Sequence, residues 1–176
     1  MERPLSSSRI YQGRIVGLRV DTVATGSGRV TTREVVERPD TVAVLALDED
    51  GNVLLVRQFR YAIGHETLEI PAGTLDEGEI PAQAALRELR EETGFAASRL
   101  DLLLAYRPAI GYCTERMTVF FAKDLSPAPL HGDEEHIRLT RVPFERIHDS
   151  IVQGQQPFED AKSILAIMLA RARGLV

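Results

Sequence analysis

A mixed α/β fold follows from three features of this 176-residue sequence: a series of short extended segments, one strongly helical segment near the middle, and two helical segments at the end. Arg14 to Val23 reads as a strand with Ile15, Leu18, Val20 and Val23 as its apolar members, and Gly26-Ser27-Gly28 marks the turn before a second extended run, Arg29 to Glu37. After Pro39, Val42 to Leu47 is apolar on both faces, the pattern of a buried central strand. Asp50-Gly51 signals a hairpin turn, with Val53 to Val56 as the return strand. Leu68-Glu69-Ile70 is a short strand stopped by Pro71, and Ala72 to Gly78 reads as a loop rich in glycine and acids.

From Glu79 to Thr93 the residues are helix formers, and Gly94 supplies the stop. Leu100 to Tyr106, Met117 to Ala122 and Ile137 to Val142 read as further strands. Pro143 to Ile151 and Phe158 to Arg173 read as helices, and Ile164, Leu165, Ile167 and Met168 are expected to pack on the sheet. Residues 1–38 are a candidate strand extension, because a lone meander of that size needs something to cover it; residues 39–176 would form the main domain.

Composition narrows the function classes. With 44% hydrophobic and 27% charged residues the chain has the mix of a globule able to bury a core. No run approaches the ~18 apolar residues of a membrane span. The start MERPLSSSRIYQGR has no apolar stretch of a secretory signal, and a single Cys113 cannot form an internal disulfide, so a cytoplasmic location is expected. The net charge of −5 disfavours nucleic acid as a partner. Of the basic residues 19 are Arg, and only Lys123 and Lys162 are Lys.

The stretch Gly73 to Phe95, GTLDEGEIPAQAALRELREETGF, carries the chemistry. On a helix Glu88, Glu91 and Glu92 fall within an arc of roughly 100°, while Ala82, Ala85, Leu86 and Leu89 occupy another. One face packs and another carries three carboxylates. Like charges at these spacings repel, and Arg87, four residues before Glu91, offsets part of that. A divalent cation would convert the repulsion into coordination; hard oxygen donors suit Mg²⁺, with Mn²⁺ also possible.

These residues resemble the Nudix box, G-x5-E-x7-R-E-U-x-E-E-x-G-U with U apolar. Gly73, Glu79, Arg87, Glu88, Leu89, Glu91, Glu92, Gly94 and Phe95 fill every defined position. At average residue usage the chance of this in such a chain is on the order of one in a million or less. The resemblance implies a Nudix α/β/α sandwich with a mixed sheet and an N-terminal antiparallel strand extension. It implies hydrolysis of a nucleoside diphosphate linked to another moiety, with Glu88, Glu91, Glu92 and the Ala72 carbonyl as metal ligands. Glu79 and Arg87 would form an ion pair holding the loop onto the helix.

Outside the box, Val56-Arg57-Gln58-Phe59-Arg60, Leu68-Glu69-Ile70-Pro71-Ala72-Gly73, Gly111-Tyr112-Cys113-Thr114-Glu115 and Gly132-Asp133-Glu134-Glu135-His136-Ile137 look like the ADP-ribose pyrophosphatase branch. That resemblance implies Arg60, with Arg57 as a second candidate, near the substrate phosphates. Glu69 and Gly111 would join the substrate site, and Glu115 would lie near the terminal ribose. Arg33 and Glu34 would reach a partner subunit's nucleotide in a homodimer. The general base would be Glu134 or Glu135, and spacing does not decide between them. The expected reaction is Mg²⁺-dependent conversion of ADP-ribose to AMP and ribose 5-phosphate. Arg107-Pro108-Ala109-Ile110-Gly111 replaces the Ser-Pro-Gly common in the branch, which leaves other nucleoside diphosphate sugars such as GDP-mannose open. A non-catalytic nucleotide-sensing module is the alternative of a different class.

Overall fold

The computed structural model describes residues 1–130 and 137–176, which divide into two compact units. The first comprises Met1–Asp40 together with Tyr106–Met117. Its strands β1 (Arg3–Gln12), β2 (Gly17–Ala24) and β3 (Val30–Glu37) form an antiparallel sheet in that order. The turn between β2 and β3 closes where Gly28 adopts φ 82°, and the Thr25 N–H donates to the Arg29 carbonyl at 2.9 Å. β1 was not legible as a strand. All ten of its residues are exposed, so it has no buried alternation and is held by backbone pairing with β2. In the same unit Val36 donates to the Tyr112 carbonyl at 2.7 Å and accepts from Thr114 N–H at 3.0 Å.

The second unit comprises Thr41–Ala105 and Thr118–Val176. Its elements are β4 (Thr41–Ala46), β5 (Asn52–Arg60), β6 (His65–Glu69), β7 (Ala72–Thr74), α1 (Pro81–Thr93), β8 (Phe95–Tyr106), β9 (Met117–Pro127), β10 (Arg138–Pro143), α2 (Phe144–Val152) and α3 (Ala161–Ala172). The strands form two sheets, ordered β10-β5-β6 and β7-β4-β9-β8. Every residue of β4 is buried. Alternation along the strand sends Val42, Val44 and Ala46 to one face, where they cluster with Ala84, Ala85 and Leu89 of α1. Ala43 and Leu45 lie on the opposite face, and α3 also packs against β4. Helices on both faces explain why the strand is apolar throughout.

α1 begins with Pro81, whose fixed φ and missing N–H suit the first helical position. It ends where Gly94, at φ 75°, donates its N–H to the Arg90 carbonyl at 3.0 Å. The helix therefore starts two residues later than the composition suggests, and Glu79 stays in the loop, where it accepts from Asp76 N–H at 3.1 Å. Ala72–Thr74, expected as loop, is a strand paired antiparallel with β4, Val42 opposite Gly73. In α3 the expected packing face is corrected in part. Ile167 is buried, but Leu165 and Met168 are exposed, and the buried set is Lys162, Ser163, Ala166, Ile167 and Ala170. Small residues permit close approach, and two polar ones face partners described below. Among the described residues no helix is long and apolar enough to cross a membrane.

Leu89 is fully buried in the cluster beneath α1. Leu89→Ala is expected to lower unfolding free energy by about 2–5 kcal/mol, read as a shifted denaturant midpoint at unchanged slope.

Candidate active site

The segment from Glu69 to Thr74 is tied down at almost every residue. Glu69 is held by side chains from β5, β6 and α3. The Ile70 N–H donates to Ser163 Oγ at 3.0 Å. Pro71 has no N–H to satisfy, and its carbonyl accepts from Val44 N–H at 2.9 Å. The Ala72 N–H donates to Glu92 Oε2 at 2.9 Å. At Gly73 the Glu88 carboxylate lies against the backbone, so that an added Cβ would lie 2.0 Å from its carboxyl carbon. A side chain at this position would displace the Glu88 carboxylate from where it lies.

Arg87 organises the acidic face. Its guanidinium grips Glu79 with two bonds, Nε to Oε1 at 3.0 Å and Nη2 to Oε2 at 2.9 Å. Nη1 donates to Glu88 Oε1 at 2.8 Å and to Glu91 Oε2 at 3.0 Å, and Nη2 donates to the Thr74 carbonyl at 3.2 Å. One planar cation thus joins the loop, β7 and the helix, using the fork geometry that Lys lacks. The Arg87 hydrogen bond holds the Glu79 carboxyl below the ordinary range, and Glu79, followed by Glu88, pushes the guanidinium pKa up.

The residues fit a divalent cation by two observations. The candidate donors, the Glu88, Glu91 and Glu92 carboxylates and the Ala72 carbonyl, would offer the hard oxygens such ions take. The missing side chain of Gly73 leaves the place that the Glu88 carboxylate fills. Among the described residues no three Asp, Glu, His or Cys side chains are gathered closely enough to hold a metal as they stand, and Arg87 Nη1 sits between Glu88 and Glu91. Its position shows that this pair of carboxylates accommodates positive charge.

Beside this face lies a buried ionic network. Glu69 takes Arg60 Nε and Nη2 at 2.7 Å each, Lys162 Nζ at 2.5 Å and Thr67 Oγ1 at 2.5 Å. Burial opposes the charge on Glu69, but Arg60, Lys162 and Thr67 outweigh it and hold the carboxyl at about 2. Lys162 also reaches Asp160 Oδ1 at 3.1 Å, and Asp160 caps α3 by accepting from Ser163 N–H at 2.8 Å. Arg57 is exposed on β5, opposite Arg138.

Arg33, Glu34, Gly111 and Glu115 belong to the first unit. Arg33 pairs with Glu2, and Glu34 is exposed on β3. Gly111 is exposed in the 106–117 segment. Glu115 is buried and accepts from Arg38 Nη1 at 3.2 Å. Glu134 and Glu135 lie outside the described residues.

Sequence reasoning missed Lys162, Thr67, Asp160 and Ser163. One signal was present: Lys162 is one of two lysines in a chain rich in Arg, on a helix with few other charges.

The NUDIX domain model matches residues 37–162. The chain is 34% identical to an ADP-ribose pyrophosphatase of Bacillus subtilis (strain 168), over 94% of this chain and 90% of that one. It is 31% identical to a methanol dehydrogenase activator of Bacillus methanolicus over the same shares, 94% and 90%. Among solved structures, the crystal structure of an ADP compounds hydrolase superposes with a TM-score of 0.86 at 26% identity, covering 99% of this chain and 95% of the other.

Two outcomes follow. Gly73→Ala is expected to push the Glu88 carboxylate out of its place and to lower divalent-cation affinity, read by metal titration, with thermal unfolding little changed. The second concerns Glu69, whose folded pKa is depressed from 4.5 to about 2, so its pairing stabilises fully above about 4.5 and is lost as pH falls toward 2. Stability measured across that window should fall with pH, and Glu69→Gln should flatten the fall.

Proposed function

The chain belongs to the Nudix family, and we propose that it hydrolyses the pyrophosphate bond of ADP-ribose to AMP and ribose 5-phosphate. The observation that carries this reading is the complete set of box carboxylates, Glu79, Glu88 and Glu91 gathered on Arg87 and Glu92 held by the Ala72 N–H, in a chain that aligns over almost its full length with an ADP-ribose pyrophosphatase. A sensing module has no need of the whole set.

The substrate's diphosphate repels an attacking water. A bound divalent cation, Mg²⁺ in this proposal with Mn²⁺ as a substitute, neutralises that charge and polarises the phosphoryl oxygen. Glu88, Glu91, Glu92 and the Ala72 carbonyl would hold it. The Ala72 N–H donates to Glu92, so ligand orientation and strand position are coupled in one hydrogen bond. Glu79 and Arg87 hold the loop on the helix. Arg60, and secondarily Arg57, bind the substrate phosphates, and Glu69 orients Arg60 through its paired bonds. Glu134 or Glu135 takes the proton of the attacking water.

In the homodimer proposed here, Arg33 and Glu34 contact the partner's nucleotide, while Gly111 joins the substrate site and Glu115 lies near the terminal ribose. Residues 1–38 would act as the dimer-forming extension and 39–176 as the hydrolase domain. The cytoplasm is the proposed compartment, with a small nucleotide as substrate and no nucleic-acid or membrane partner. One observation favours a broader second reading: Arg107 to Gly111 departs from Ser-Pro-Gly, so other nucleoside diphosphate sugars, GDP-mannose among them, are candidate substrates.

AMP release from ADP-ribose should require Mg²⁺ and exceed turnover of GDP-mannose and NADH in a parallel panel. Glu88→Gln and Glu92→Gln should each lower kcat by several orders of magnitude, roughly 10²–10⁴-fold, with native circular dichroism retained. Full activity in both variants would refute the metal assignment.

A further inference from the structure

Glu69 is shared by two cations that differ in their exposure. The Glu69 and Lys162 side chains are 4% and 9% exposed, whereas that of Arg60 is 39% exposed. Lys162 is fixed on α3 beside Asp160, one residue from the Ser163 hydroxyl that holds the Ile70 N–H. Arg60 ends β5 and has solvent on one side. A buried carboxylate left with one cation would grip it, because releasing that cation would strand a charge away from water. With Lys162 in place, Glu69 keeps a counter-charge and the Thr67 hydroxyl when Arg60 turns away.

We propose that Lys162 is a positioning residue for substrate binding: it keeps the Glu69 carboxylate neutralised so that Arg60 can exchange Glu69 for an anionic diphosphate. The inference rests on the assignment of Arg60 to the substrate phosphates. It gives the buried lysine a role in affinity, exerted through Arg60 and without touching the substrate.

Steady-state kinetics of the full chain with ADP-ribose and Mg²⁺ test it, using Arg60→Ala, Lys162→Met, the double variant and Lys162→Arg. Lys162→Met should raise KM about tenfold with kcat within about twofold. Lys162→Arg should restore much of the affinity. In the Arg60→Ala background, Lys162→Met should add nothing further to KM, since the two act through one contact. Lys162→Gln, which keeps a donor and removes the charge, carries the same expectations if Lys162→Met does not fold. An unchanged KM in folded Lys162→Met or Lys162→Gln, or an equal rise with and without Arg60, overturns the proposal while leaving Arg60 assigned. An unchanged KM in Arg60→Ala overturns the Arg60 assignment and this inference with it.

Discussion

Acidic side chains crowded on one helical turn repel each other, and the guanidinium of Arg87 makes that crowding compatible with a folded chain. It satisfies Glu79, Glu88 and Glu91 together and takes the Thr74 carbonyl as well. Loop, strand and helix then share one electrostatic centre. A point charge on a flexible stem could neutralise the same carboxylates, but it could not meet them in one plane. The acidic loop and the acidic helix are consequently one structural object, although eight residues separate Glu79 from Arg87 along the chain.

The same short stretch of backbone is clamped from two directions. α1 holds it through Glu92 at Ala72, and α3 holds it through Ser163 at Ile70 and Lys162 at Glu69. Pro71 between these anchors has no donor to leave unsatisfied. A site that must keep several oxygens in register benefits from such over-determination, since each anchor alone contributes only about 1 kcal/mol but together they leave the strand no alternative path.

The acidic site was legible because its spacing is local. Gly73, Glu79, Arg87, Glu88, Glu91 and Glu92 lie on one short segment, and helical geometry alone places three of them on one face. The Lys162–Glu69 pair was not legible because 93 residues separate its members, and no periodic pattern marks a buried lysine. α3 misled for a related reason: Leu165 and Met168 are apolar yet exposed, and the tight contact is made by Ala166 and Ala170. β7 and β1 escaped because their order comes from cross-strand backbone bonds, which leave little trace in side-chain identity. The central strand β4 and the C-terminal end of α1 were legible, since burial on both faces and a glycine stop are written directly in residue type.

β1 lies at the margin of its sheet, with β2 on one side only. A straight exposed strand of ten residues would be a template for endless addition of further chains. This one carries Pro4, which offers no amide proton, two charged arginines, Arg3 and Arg9, and breaks in register between Pro4 and Ser6 and between Arg9 and Tyr11. Those irregularities cut the strand into short runs, so any second chain that adds there meets a few residues of matching backbone and then a mismatch. Growth into fibres is frustrated at the first step, while a finite assembly built on side-chain fit remains accessible.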